Sequence, residues 1–260
     1  MRYFHLGILL GGLTFCALTN KALADGWGNI KGQIVWSKKD VPADKDLMPN
    51  KDQQHCLSKG PLLSDELVID KATSGVANVM IWLAPMQKGA KIPINPGLAA
   101  VPKDTVIIDQ PCCKFEPRIT MMREGQTLIV KNSAPVPHNS RISGNPGING
   151  TKNPNIPPGA QVEFSGATKL KAEPRPLLLG CDIHGWMAGR IAIFDHPYFA
   201  LSKKDGTFEI KDAPAGTYKI YIQHEKAGWV HKGNTSAGQE IVIPAGGTLD
   251  LGKYDLKIED

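Results

Sequence analysis

Apolar and β-branched residues come in short runs along this chain, at 30–36, 76–83, 105–108, 127–131, 161–164, 189–194, 207–210, 217–223 and 240–243. Gly, Pro, Asn and Asp separate the runs, and runs of this length bounded by turn formers read as strands. Almost nowhere do apolar residues recur at helical spacing for three turns. The pattern therefore predicts an all-β fold of the sandwich or barrel kind. The 20 prolines and 27 glycines supply turns for many crossings, without the period of collagen or the bias of a disordered tract. The stretch 143–159 holds Gly144-Asn145-Pro146-Gly147, Asn153-Pro154-Asn155 and Pro157-Pro158-Gly159. It reads as an irregular surface excursion between strands.

The first 24 residues depart from this pattern. Arg2 precedes an apolar stretch at 6–18, and Ala22-Leu23-Ala24 places small residues before Asp25, which is the layout of a cleaved export signal. That stretch is short for a bilayer, and no later one approaches the roughly 20 apolar residues a span needs. The chain is thus read as exported, periplasmic or extracellular, with no transmembrane segment in the mature protein. Cys16 follows the bulky Phe15, where lipid attachment would want a small residue, and reads as an ordinary cysteine of the leader. The formal charge of +5 falls to +3 when Arg2 and Lys21 leave with the leader. The densest basic pairs, Lys38-Lys39 and Lys203-Lys204, are not interleaved with aromatics, so nucleic acid is not an implied partner.

The chemistry concentrates in Cys181-Asp182-Ile183-His184-Gly185-Trp186-Met187, which follows Leu177-Leu178-Leu179 and precedes the run at 189–194. A tight loop between two strands can aim the Cys, His and Met side chains of this C-x2-H-x2-M spacing at one point. A thiolate, two imidazoles and a weak axial thioether suit copper, which cycles between two oxidation states. The loop lacks one imidazole. His138 can supply it, because Asn132-Ser133-Ala134-Pro135-Val136-Pro137-His138-Asn139 leaves a strand with two prolines that stiffen the approach.

The run at 125–131, the Pro137-His138-Asn139 that follows, the late Cys-His-Met loop and the closing run Met187-Ala188-Gly189-Arg190-Ile191 together resemble the cupredoxins. The loop spacing is most similar to that of the amicyanins, since plastocyanins place two further residues between the second His and the Met. The resemblance covers residues 100–196. It implies a Greek-key β-sandwich with one mononuclear type 1 copper at one end, its ligands falling on His138, Cys181, His184 and Met187. It also implies a bracing role for Asn139 beside the thiolate loop, and an electron exit at the edge formed by His184 and Trp186, with His184 as the imidazole that reaches the surface.

Three other cysteines remain in the mature chain: Cys56, Cys112 and Cys113. Cys56 can pair with either of the adjacent two in an oxidising compartment. Such a bond closes a loop of about 60 residues, and loop-closure entropy makes it worth roughly 4 kcal/mol. The segment Cys113-Lys114-Phe115-Glu116-Pro117 resembles the lead into the first core strand of related exported proteins, which favours Cys113 and leaves Cys112 odd. Vicinal thiols without a nearby His give little support to a second metal site.

Toward the C-terminus, Asp205-Gly206-Thr207-Phe208 and Pro214-Ala215-Gly216-Thr217-Tyr218 resemble carboxypeptidase regulatory-like domains, small prealbumin-type sandwiches. About 60 residues are too few for that fold. The N-terminal runs Gly28-Asn29-Ile30-Lys31-Gly32-Gln33-Ile34-Val35 and Ala77-Asn78-Val79-Met80-Ile81-Trp82-Leu83 can supply the missing strands. The expected organisation is a leader at 1–24, an N-terminal β segment at 25–99 that pairs with 197–260, and a cupredoxin-like unit at 100–196 nested in or adjoining this second sandwich. The alternative is that 25–99 extends the cupredoxin sheets. His224, on a strand beside Glu225, points to the opposite face from its neighbour and is read as structural. His196-Pro197-Tyr198-Phe199 is read as the junction between units.

The function expected from these residues is transfer of single electrons between protein redox partners, without catalysis. No nucleophile with its base, paired-carboxylate motif or phosphate loop is recognisable. Two other classes stay open: a copper-binding or delivery module of an exported complex, and a non-redox interaction protein whose second sandwich binds carbohydrate or a partner.

Overall fold

The computed structural model describes residues 26–258, so the leader lies outside the described residues. Among the described residues the fold is all-β apart from one short helix, Gln53–Cys56, and two 3-10 turns. Among the described residues, no helix is long and apolar enough to cross a membrane.

Two pairs of sheets pack face to face. In the first pair, Gln161–Phe164, Leu128–Lys131 and Val106–Asp109 form one sheet. Its partner runs Ile119–Arg123, Ala188–Phe194, Leu177–Gly180, Arg141–Ser143 and Thr151–Lys152 in spatial order. Ile108, Leu128, Val130 and Phe164 of one sheet meet Met122, Ile142, Leu177, Leu179, Ile191 and Ile193 of the other in a shared core. In the second pair, Trp27–Trp36 lies between Thr207–Pro214, antiparallel, and Thr248–Leu256, parallel. The facing sheet pairs Met80–Ala84 with Phe199–Leu201 and with Gly216–His224, which also carries Gln239–Ile243. Strands from the two ends of the chain thus share both sheets of this sandwich.

The two sandwiches meet over strands that are buried on both faces. Successive side chains of a strand point to opposite sides. Ile191 and Ile193 accordingly enter the first core, whereas Ala192 and Phe194 enter a third cluster with Met80, Trp82 and Ile119. Ile81 and Leu83, the alternates of Met80 and Trp82, fill the core of the second sandwich. This is why 79–83 and 191–194 are apolar at every position rather than at alternate ones. The boundary also holds a buried ion pair: Arg118, with a 9% exposed side chain, grips both carboxylate oxygens of Glu225, 4% exposed. Its other arm meets Asp65 Oδ1 at 3.1 Å.

Glycine freedom is needed where the hairpin at Asp205-Gly206 meets the turn at Gly75. Gly206 sits at φ +79°, and a Cβ there would fall 2.0 Å from the Ile34 carbonyl oxygen. A Cβ on Gly75 would lie 2.0 Å from the Asp205 carbonyl carbon, so the two turns touch through backbone alone.

Two expectations need revision. The excursion at 143–159 is partly regular: Thr151–Lys152 pairs with Arg141–Ser143, and Asn155–Ile156 pairs with His138–Asn139. Fully buried Ile156 and the side-chain bonds of Asn149 to Lys171 pull this stretch back onto the sandwich. The segment 25–99 does not pack wholly with 197–260 either. Leu47, Cys56 and Leu62 belong to the core of the first sandwich, so residues 47–62 form a strap over it.

Candidate metal centre

Asn132 sets the path into the first candidate ligand. Its buried amide donates to the carbonyls of Val136 and Ile156 and accepts from Ala134 N, which closes the turn through the two prolines. His138 follows, fully buried. On the other chain segment, Cys181 N donates to the Met187 carbonyl at 3.3 Å and Met187 N to the His184 carbonyl at 2.9 Å, closing the loop on itself. Cys181 and Met187 are buried in the first core, and His184 is fully buried. Asn139 joins the two segments: its Oδ1 accepts from Asp182 N at 2.8 Å and Ile183 N at 3.1 Å, with Cys181 Sγ at 3.3 Å. The loop's Asp182 carboxylate in turn accepts from Asn153 and Arg141, each at 2.7 Å.

Three donor atoms converge. His138 Nδ1 and His184 Nδ1 lie 2.9 Å apart, and Cys181 Sγ is 4.0 Å from the first and 3.9 Å from the second. Among the described residues this is the group of His, Cys and acidic side chains placed to hold a metal ion. Met187 is buried in the same core as Cys181 and closes the loop through the backbone bonds described above.

The residues fit a metal of the expected kind. An ion with bonds of about 2.0–2.1 Å to nitrogen and about 2.3 Å to sulfur bridges N–N separations up to about 4.1 Å and N–S separations up to about 4.4 Å. All three observed separations fall within those limits. The protonation pattern agrees. His184 Nε2 donates to Asp52 Oδ2 at 2.7 Å, so in the neutral ring Nδ1 carries the lone pair. That lone pair faces His138 Nδ1: either His138 gives its proton to the contact, or a cation takes both lone pairs. His138 Nε2 has no hydrogen-bond partner. Burial, followed by the neighbouring His184 and His55, pushes the His138 pKa down to about 4 against the opposing pull of Asp52. Its ring is therefore neutral near pH 7 and able to ligate.

His184 does not reach the surface. The expected exit edge is closed by Asp52, which the strap carries in from 132 positions away. The ring is also flanked by His138 at 4.6 Å and Trp186 at 5.1 Å between centroids. Trp186 is half-buried and donates from Nε1 to the Cys113 carbonyl at 3.1 Å, so it is an anchor of the loop. Sequence reasoning missed Asp52, a lone acid in a loop with no local signature. Instead, a surface groove of about 400 Å³, lined in part by Arg141, Leu178, Asp182 and Arg190, reaches Cys181 and Met187 from another side.

The remaining candidates lie elsewhere. Cys56 and Cys113 form a disulfide, and Cys112 is free and half-buried. His224 is buried with Nδ1 accepting from Lys226 N and Ala227 N, while Glu225 turns to Arg118. His196 accepts from Tyr198 N at the junction. A cleft of about 580 Å³ lined by Trp82, Phe194, His196, Tyr221 and Trp229 sits at the same junction.

No protein family and no curated protein matches the sequence. Solved structures similar in part include a purple cupredoxin from Nitrosopumilus maritimus, 20% identical, covering 34% of this chain and 99% of that one at a TM-score of 0.28. An amicyanin variant in its reduced state is 20% identical over 40% of this chain and 97% of its own, TM-score 0.30. A copper-containing nitrite reductase from Thermus scotoductus is 18% identical over 43% of this chain and only 25% of its own, TM-score 0.30. At these scores the likenesses carry no argument about function, which rests on the side chains.

Proposed function

We propose that this chain is an exported cupredoxin-type protein that holds one mononuclear type 1 copper and passes single electrons between protein redox partners, without catalysing a reaction of its own. The observation that carries this reading is the buried convergence of His138 Nδ1, His184 Nδ1 and Cys181 Sγ within 4.0 Å of one another. Copper bound there would be held by His138, Cys181 and His184, with Met187 as a candidate weak thioether donor, and would supply a one-electron couple. The protein's part is to hold the donors in advance. Asn132 and the strand pairing of His138–Asn139 fix one imidazole, the closed loop fixes Cys181 and His184, and Asn139 locks the two together. Ligands fixed in this way rearrange little when the charge of the centre changes. We further assign the unit at 100–196 to the cupredoxin sandwich, and the strands at its two flanks to a carboxypeptidase regulatory-like sandwich into which it is inserted.

A second reading, a module that holds or delivers copper for an exported complex, is favoured by one feature: Asp52 and Trp186 leave His184 without an exposed edge. Optical and electron paramagnetic resonance spectra of the Cu(II)-loaded protein separate the two. Electron transfer calls for an intense visible band and reversible reduction, whereas a delivery site holds colourless Cu(I). The band should vanish in Cys181→Ser, and its survival there would overturn the ligand assignment.

A further inference from the structure

Asp52 is held in an uncommon conformation. At φ 48°, ψ 35° it is a non-glycine residue in the left-handed region, where a residue stays only when its surroundings fix it. Its carbonyl accepts from His55 N and Cys56 N, each at 3.0 Å, starting the short turn Gln53–Cys56. That turn is pinned at two points: Cys56 is bonded to Cys113, and His55 Nε2 lies 3.2 Å from the Pro111 carbonyl. Cys113 also accepts the Trp186 indole N–H. The strap and the metal loop are thus fastened to the same short segment, 111–113. With the backbone so placed, the Asp52 carboxylate meets His184 Nε2 on the side of the ring away from the donor cluster.

We infer that Asp52 is a positioning residue of the metal centre: it accepts the hydrogen bond of His184 Nε2–H, fixes the tautomer and ring angle that present Nδ1 to the metal, and makes that ring a stronger donor to Cu(II). The inference rests on the copper reading proposed above. Its physical basis is general. A ligating imidazole whose other nitrogen donates to a carboxylate is oriented and made more basic, and losing that partner commonly costs 10–100-fold in metal affinity. A more basic ligand favours the higher charge of Cu(II) over Cu(I). The carboxylate therefore lowers the midpoint potential of the site, and it does so from a segment outside the unit that supplies the ligands.

The test compares wild type, Asp52→Asn and Asp52→Ala in the full chain. Competition titrations with chelators give the affinities for Cu(II) and Cu(I) separately, and voltammetry gives the midpoint. Cu(II) binding is expected to weaken about 10–100-fold in Asp52→Ala, with Cu(I) binding changed much less and the midpoint raised. Asp52→Asn keeps an acceptor without the charge and should fall between. A ratio of Cu(II) to Cu(I) affinity in Asp52→Ala equal to that of wild type would overturn the inference, because a part that only supports the fold would change both affinities alike. If Asp52→Ala does not fold, the same ratio in Asp52→Asn decides. If wild type takes up no copper, it is the copper reading that fails. The bond itself is then read from imidazole ¹⁵N spectra of the metal-free protein, where His184 should carry its proton on Nε2; a proton on Nδ1 would refute the bond.

Discussion

Replacing Cys56 and Cys113 together by alanine removes the covalent fastening of the strap. The bond links residues 57 positions apart, and loop-closure entropy for a ring of that size amounts to about 4 kcal/mol at 25 °C. For a cooperative unit of 150–250 residues each kcal/mol shifts the melting temperature by about 2–4 °C, so the double variant should melt about 8–16 °C lower. Both sulfurs are buried, Cys56 at 4% and Cys113 at 0% exposure, so the space they leave adds to the loss rather than offsetting it. Scanning calorimetry of the metal-free protein measures the shift, and wild type treated with a dithiol reductant should reproduce most of it. A melting temperature lowered by less than about 2 °C would refute the reasoning, since it would mean the denatured chain is not restrained by this link.

Acid should destabilise the metal-free protein between pH 6.5 and 4. Burial first of all pushes His196 and His224 down to about 4, so the unfolded chain binds protons in that window while the folded one does not. Stability is therefore fully present above pH 6.5 and falls with pH, by about 3 kcal/mol per histidine at most. Urea midpoints measured across the window should flatten in His196→Gln, and an unchanged slope would count against the burial argument. Glu225→Gln leaves the Arg118 cation with Asp65 as its carboxylate partner at the boundary of the sandwiches and should cost about 1.5–3 kcal/mol, the range for hydrogen bonds to charged groups. Urea unfolding measures it, and a loss below about 1 kcal/mol would place that pair among weakly coupled surface charges.

The legible parts of the fold were those whose burial writes itself into composition. Val79, Met80, Ile81, Trp82 and Leu83 are all buried because the strand they form is covered on both faces. Thr248–Leu256 went unread for the opposite reason: it lies at a sheet edge with most side chains in solvent, and its Asp, Gly and Lys resemble a loop. The strand Ile119–Arg123 follows a proline and ends on an arginine that is buried only because it donates to the Leu98 and Ala100 carbonyls, a long-range fact absent from local pattern. At the site, the convergence of Cys181 and His184 could be seen because one short loop carries both, and that of His138 because its approach is stiffened by proline. The closure of His184 could not be seen. It depends on Asp52, whose partner lies 132 positions away and whose own neighbours carry no metal-binding spacing.

The strap is also a consequence of how the sandwiches are joined. The chain leaves the second sandwich after Trp27–Trp36, and the residues at 47–62 pack on the first before the chain returns to the second at Leu67 and Ile69. Such a detour holds its place only if the two sandwiches keep a fixed relation, because Asp52 must meet a ring on a loop it does not belong to. The fixed relation comes from the shared wall, where Ala192 and Phe194 lock against Met80 and Trp82, and from Arg118, which ties Asp65 just after the strap to Glu225 beyond the wall. Strap, wall and ion pair act together to seat one carboxylate on one imidazole. A unit cut at 100–196 would keep His138, Cys181, His184 and Met187 but lose Asp52, so the surroundings of the His184 ring are set by more of the chain than the sandwich that carries it.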